Sequence, residues 1–147
     1  MTALIQRVSL SWVKIGDEEI ARIGRGYNIL LGVLKEDSEQ DIDKLVKKIV
    51  HLRLFPNEES KMDKNIVQIG GQALVVSQFT LAANVKKGNR PDFTAAMPPE
   101  RAKELYELFC TKLGGHIPVQ TGRFGAMMEV GIVNDGPVSI VIDSRDL

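Results

Sequence analysis

Residues 4–34 read LIQRVSLSWVKIGDEEIARIGRGYNILLGVL, and this stretch decides the fold. Val8, Leu10 and Trp12 alternate with Ser9 and Ser11, the period of a strand with one buried face. Gly16-Asp17 supplies a turn, and Ile20 and Ile23 carry a short second strand. After Gly24 and Gly26 the run from Tyr27 to Leu34 is largely apolar, as expected of a strand buried on both faces. Connections this short favour antiparallel pairing. Further along, Ser38 and Asp41 have the spacing of a capping box, and Ile42, Leu45, Val46 and Ile49 predict a helix to about Leu52. Asn57 to Lys64 reads as a polar loop and Gly70-Gly71 as a turn. Ala73 to Leu81 reads as another buried strand, and Lys86 to Pro91 as a basic loop. Pro98-Pro99 opens a second helix, with Ala102, Leu105, Leu108, Phe109 and Leu113 on its apolar side and Lys103, Glu104 and Glu107 outside; Gly114-Gly115 closes it. Strands are predicted near Val119 to Phe124, Met127 to Val133 and Val138 to Ile142, with Asn134-Asp135-Gly136-Pro137 turning between the last two. No linker or repeat interrupts the chain. The reading is one α+β domain over residues 1–147: a mostly antiparallel sheet or open barrel with two main helices packed on it.

Composition narrows the function. With 147 residues and 44% hydrophobic side chains, one core that buries about two-thirds of the unfolded surface is within reach. Cys110 is the only cysteine, so no intramolecular disulfide is possible, and a packed thiol in a reducing cytosol is expected. The opening MTALIQRVSL has no basic region before a long apolar run, and nowhere is there a stretch of about 18 apolar residues. A cytoplasmic protein with no membrane partner is the expectation. Nineteen Lys and Arg balance nineteen Asp and Glu, so a nucleic acid must be held by a local patch; no DNA partner is expected.

The usual catalytic sets are missing. His51 and His116 are the two histidines, without HxH, HExxH or CxxC spacing, so no metal site is expected. No GxSxG elbow, GxxxxGK[ST] loop or GxGxxG turn occurs, which removes support for a serine triad, nucleotide hydrolysis or a dinucleotide cofactor. What remains is main chain and hydroxyls. Ser77, Gln78 and Thr80 cluster at the end of an apolar strand, where an amide and a hydroxyl can both face a pocket, although strand-end polar residues are also ordinary. Asn134 to Pro137 are likewise common turn residues.

Together the two segments carry more. Ser77-Gln78-Phe79-Thr80-Leu81 and Asn134-Asp135-Gly136-Pro137-Val138-Ser139 resemble, in order and separation, the bacterial and eukaryotic D-aminoacyl-tRNA deacylases. Ile5-Gln6-Arg7-Val8, Leu30-Leu31-Gly32-Val33, Arg90-Pro91-Asp92-Phe93 and Gln120-Thr121-Gly122-Arg123-Phe124 extend the likeness over nearly the whole chain. Ser139, where the family usually has threonine, and Asp92, where many members carry serine, depart from it.

The resemblance implies an enzyme that hydrolyses the ester of D-aminoacyl-tRNA without a cofactor. Ser77, Gln78, Phe79 and Thr80 would be its catalytic segment. It implies a homodimer in which a cis Gly136-Pro137 turn of one subunit enters the pocket of the other and collides with L side chains. Glycyl-tRNA, with no side chain to collide, would also enter. Arg7, Asn134 and Ser139 would support the turn. Thr80 could attack directly, but no base to activate it is evident. Alternatively the amides around Phe79 and Thr80 hold the oxyanion while a water attacks, assisted by the ribose 2′-hydroxyl. Lys86, Lys87 and Arg90 form the densest basic loop for tRNA, with Lys44, Lys47 and Lys48 as another set. Two other functions compete: a paralogous editing enzyme that removes glycine or L-alanine, and a non-catalytic RNA-binding module of the same fold.

Overall fold

The first strand, β1, runs from Thr2 to Ile15 and organises everything else. A computed structural model describes residues 1–147. Along one edge of β1, its second half pairs antiparallel with β2 (Glu18–Ile23) and its first half with β3 (Gly26–Gly32). Along the other edge lies β8 (Glu129–Asp143), antiparallel over almost the full length. From β3 the sheet continues in parallel through β6 (Gln72–Ser77) to β7 (Val119–Thr121). The Arg22 amide donates to Gln120 Oε1 at 3.0 Å, so β2 curls back towards β7 and the sheet nearly closes. This is the expected α+β fold with two helices, α1 (Glu39–His51) and α2 (Pro99–Gly114), on a mixed sheet.

Two cores result. The larger lies between the sheet and the helices, where Ile5, Tyr27, Ile29, Leu31, Ala73 and Val75 meet Leu45, Ile49, Leu105 and Phe109. The smaller fills the curled sheet with Val8, Val13, Ala21, Ile23, Leu74 and Val76. β6 therefore buries alternate side chains in different cores, which explains its unbroken apolar run. At the head of α1, Asp41 accepts from the Ser38 amide at 2.8 Å, half of the capping box the spacing predicts. Tyr106, absent from the predicted apolar side of α2, is buried and its hydroxyl donates to the Val75 carbonyl at 2.8 Å.

Four local expectations are corrected. In β1, Ser11 is fully buried while Leu10 and Trp12 are half-buried. A register shift between Val8 and Leu10 changes which side chains face inward. Asn28 Nδ2 donates to Ser11 Oγ at 3.0 Å, and Ser11 donates to the Gly131 carbonyl at 2.7 Å, so the buried hydroxyl is satisfied. The polar segment after Phe55 is not all loop: β4 (Phe55–Pro56) and β5 (Met62–Lys64) form a small hairpin. The strand expected over Val119 to Phe124 stops at Thr121. Finally, Asn134 to Pro137 does not reverse the chain between two strands. It is an outward bulge in the single continuous strand β8.

Candidate active site

The predicted strand Ala73 to Leu81 ends early, because β3 offers no pairing partner beyond its own end. The Gln78 amide still donates to the Leu31 carbonyl at 2.8 Å. After it the chain tightens into a 3-10 turn, Phe79–Ala82, with Leu81 N–H donating to Gln78 O at 3.2 Å and Ala83 N–H to Thr80 O at 3.1 Å. The turn lies directly on Gly32, where a Cβ would come within 2.9 Å of Leu81 Cβ. The Phe79 and Thr80 amides precede the first of these bonds and have no acceptor inside the turn. Gln78 Nε2 donates to Thr80 Oγ1, which ties the two side chains together. Phe79 and Thr80 are both exposed, and the Phe79 ring meets Phe93 edge-on at 5.2 Å.

Ser77, Gln78 and Phe79 form one wall of a cavity of about 780 Å³. Phe93, Met97 and Pro98, before α2, form another wall, and Phe124, Met127 and Met128, before β8, with Val130 inside that strand, complete the lining. The volume suits a small organic ligand, and the lining is chiefly apolar. Its one charged side chain is Lys35; histidine, cysteine and carboxylates do not line it. Thr80 itself does not line the cavity, and no histidine or carboxylate of the cavity wall could serve as its general base. The methionine and aromatic walls at Met97, Met127 and Met128 escaped the sequence reading. The signal was the apolar run of Phe-Gly-Ala-Met-Met at 124–128, which the alternation reading divides between a strand ending at Phe124 and another beginning at Met127.

The second segment is built at a different place. Opposite the single residue Arg7, between the pairs Val8↔Asn134 and Gln6↔Ser139, β8 carries the four residues Asp135 to Val138. The surplus bulges outward, and the Gly136–Pro137 peptide is cis. Asn134 closes the neck: its Oδ1 accepts from Val138 N–H at 2.8 Å, while Nδ2 reaches the Val138 carbonyl at 3.1 Å and Ser139 Oγ at 3.2 Å. Arg7 Nε donates to the Asp135 carbonyl at 2.8 Å and Nη1 to the Leu54 carbonyl at 2.6 Å. Arg7 is only 9% exposed, whereas Gly136 and Pro137 are exposed.

The structure therefore joins Ser77, Gln78, Phe79 and Thr80, and separately joins Arg7, Asn134, Gly136, Pro137 and Ser139. Within one chain it does not bring the two groups together, since neither Gly136 nor Pro137 lines the cavity. Lys86, Lys87 and Arg90 are exposed on a loop pinned by mutual amide–carbonyl bonds of Asn84 and Asp92 at 2.8 and 2.9 Å, outside the cavity wall. Lys44, Lys47 and Lys48 are exposed on α1. His51 is exposed too, its Nδ1 lying 2.7 Å from the Lys47 carbonyl.

Comparison with known proteins supplies the family. A family model described as D-Tyr-tRNA(Tyr) deacylase matches residues 4–143. The D-aminoacyl-tRNA deacylase of a Nitratiruptor species is 72% identical over 147 residues, the whole of both chains. That of Aquifex aeolicus is 53% identical over 148 residues, again with full coverage of both. A solved structure titled c-Myc DNA Unwinding Element Binding Protein is 42% identical and superposes with a TM-score of 0.93, covering 97% of this chain and 98% of its own. With the family model spanning nearly all of the sequence and full-length relatives this similar, the chain belongs to the D-Tyr-tRNA(Tyr) deacylase family.

Proposed function

We propose that this protein hydrolyses the ester joining a D-amino acid to the terminal ribose of tRNA, in the cytoplasm, and rejects the L enantiomer. The observation that carries the reading is the apolar cavity walled by Phe79 at the start of the Phe79–Ala82 turn, with no histidine or carboxylate on its walls. A site of this kind holds a reacting carbonyl against main-chain donors. The Phe79 and Thr80 amides receive the developing oxyanion. Water adds to the carbonyl, assisted by the substrate's 2′-hydroxyl; the ester C–O bond then breaks and the ribose oxygen takes up a proton. The products are free D-amino acid and tRNA. Gln78 holds the Thr80 hydroxyl aside as a hydrogen-bond partner, so Thr80 supplies its amide rather than a nucleophile.

Selectivity comes from the exposed bulge. In a homodimer, Gly136 and Pro137 of one subunit enter the cavity of the other and occupy the space that an L side chain needs. Arg7, Asn134 and Ser139 fix that bulge through the bonds given above. Exclusion needs no recognition of the admitted side chain, so many D-residues are accepted and glycine passes as well. Lys86, Lys87 and Arg90 meet tRNA phosphates. Deacylation of D-tyrosyl-tRNA, glycyl-tRNA and L-alanyl-tRNA side by side tests the reading. Turnover of the first two is the expected result. Cleavage of L-alanyl-tRNA with D-tyrosyl-tRNA spared would assign the chain to glycine and L-alanine editing, and binding without any turnover would make it a non-catalytic RNA-binding module.

A further inference from the structure

A second cleft, of about 390 Å³, lies between α2 and the Thr121–Phe124 segment. It differs in character from the apolar cavity: Lys103, Glu107 and Thr111 line it from the helix, and Thr121 and Arg123 from the opposite side. Phe124 lines both cavities and marks the partition where they adjoin. That partition is held from two directions. Phe124 packs on Tyr106 with ring centres 5.8 Å apart. The chain around it turns tightly, with Ala126 N–H donating to the Arg123 carbonyl at 3.1 Å and the Arg123 amide facing Met128 Sδ at 3.4 Å. The backbone of Arg123 is therefore anchored to a residue of the apolar cavity, while its side chain lines the neighbouring cleft.

The charges are poised for an external partner. Arg123 forms no ion pair within the chain. Lys103 has only an exposed contact with Glu107 at 3.9 Å, a separation and exposure at which a pair contributes little and is easily exchanged. Thr111 Oγ1 already donates to the Glu107 carbonyl at 3.0 Å and the Glu107 carboxylate sits beside Lys103, so the free donors for a phosphodiester's negative oxygens are the Arg123 guanidinium and the Lys103 ammonium, with the Thr121 hydroxyl beside them.

We propose that this cleft binds the phosphate linking the terminal adenosine to its 5′ neighbour in the single-stranded end of aminoacyl-tRNA, with Arg123 and Lys103 as its cations. The inference rests on the aminoacyl-tRNA reading: when the aminoacylated nucleoside fills the apolar cavity, its 5′ phosphate leaves past an edge of that cavity, and at the Phe124 edge the adjoining cleft carries Arg123 and Lys103. Arg123 and Lys103 are binding residues, remote from the reacting ester.

The test compares D-tyrosyl-tRNA with D-tyrosyl-adenosine, which has the ester and the nucleoside but no 5′ phosphate. Arg123→Gln, Lys103→Gln and the double variant are measured for kcat/KM on both. The expected result is a loss of about tenfold or more in the double variant on tRNA, chiefly through KM, from removal of charge-assisted contacts. D-tyrosyl-adenosine turnover stays at the wild-type level, and the double-logarithmic salt slope for tRNA becomes shallower by about 0.7, as for one single-strand phosphate contact. Unchanged kinetics on tRNA, or an equal loss on both substrates, would overturn the assignment. Failure of the wild type on both substrates would instead overturn the aminoacyl-tRNA reading, and this inference with it.

Discussion

Thr80 shows how one residue separates two chemistries. The residue is exposed, its hydroxyl accepts from Gln78 Nε2, and no histidine or carboxylate is among its hydrogen-bond partners. A nucleophile without an activating base is a poor one at neutral pH. Thr80→Ala is therefore expected to cost far less in single-turnover rate than replacing the terminal adenosine by its 2′-deoxy form, which removes the assisting group. A folded, tRNA-binding but inactive Thr80→Ala protein, with normal wild-type turnover of the 2′-deoxy substrate, would restore a covalent mechanism. Arg7 offers a second test. Its guanidinium satisfies the Leu54 and Asp135 carbonyls from a nearly buried position, so Arg7→Ala should lower stability by about 2–4 kcal/mol in urea denaturation, given the usual strength of charged hydrogen bonds. The same change should loosen the Gly136-Pro137 bulge and raise cleavage of L-tyrosyl-tRNA; unchanged stability and selectivity would remove Arg7 from the account. Cys110, packed beside Tyr106, is pushed by burial from 9.0 to about 12. Half-buried on the wall of the Arg123 cleft, it stays a neutral thiol at pH 8, and alkylation of the folded protein is expected to be much slower than that of the unfolded chain. Because the unfolded chain ionises first, the contribution of this group to stability is complete below about pH 9 and is lost as pH rises towards 12, at up to about 1.4 kcal/mol per pH unit.

At the scale of elements, β1 and β8 depend on a close approach. Gly131 pairs with Trp12, and a Cβ on Gly131 would lie 1.9 Å from Trp12 Cε2. Gly131→Ala must push the indole or the strand aside, with an expected loss of about 1–3 kcal/mol in chemical denaturation, as for other overpacked sites. Combining it with Trp12→Leu should return part of that loss; strict additivity of the two changes would show that they do not meet. The parts of the fold legible in the sequence are those whose periodicity is carried by their own side chains. β2, β3, α1 and α2 fall close to their predicted limits, because Ile42, Leu45 and Ile49, or Ala102, Leu105 and Phe109, mark a face without reference to any partner. The failures share the opposite property. The early end of β6 depends on β3 running out of partners, the inward turn of Ser11 on a register shift, and the bulge at Asp135 to Val138 on which residues of β1 it faces. The site divides in the same way. Ser77 to Thr80 and Asn134 to Ser139 stand out through resemblance as candidates, whereas their separation within one chain and the methionine walls of the cavity are products of folding.

At the scale of the whole molecule, separation of the two segments within one chain becomes an argument about assembly. β8 pairs only with β1 and so exposes a 15-residue edge, with Val133 and Val141 among its exposed apolar side chains. An edge of that length is normally covered, and the proposed dimer would both cover apolar surface and supply each cavity with the Gly136-Pro137 bulge it lacks. Sedimentation at assay concentration is expected to find the active species as a dimer; fully active monomers would contradict the shared pocket. The balanced charge of nineteen cationic and nineteen anionic side chains further implies that tRNA is held through local contacts, so affinity should fall with salt by only a few phosphate equivalents. The claim that joins all these scales is metal-independent ester hydrolysis governed by chirality. Single-turnover deacylation of D-tyrosyl-tRNA and L-tyrosyl-tRNA by the same enzyme sample, with and without EDTA, tests it most directly. The account predicts rapid loss of the D ester, an L ester that decays at its spontaneous rate, and no effect of the chelator; equal rates for the two enantiomers, or activity lost in EDTA and restored by zinc, would contradict it.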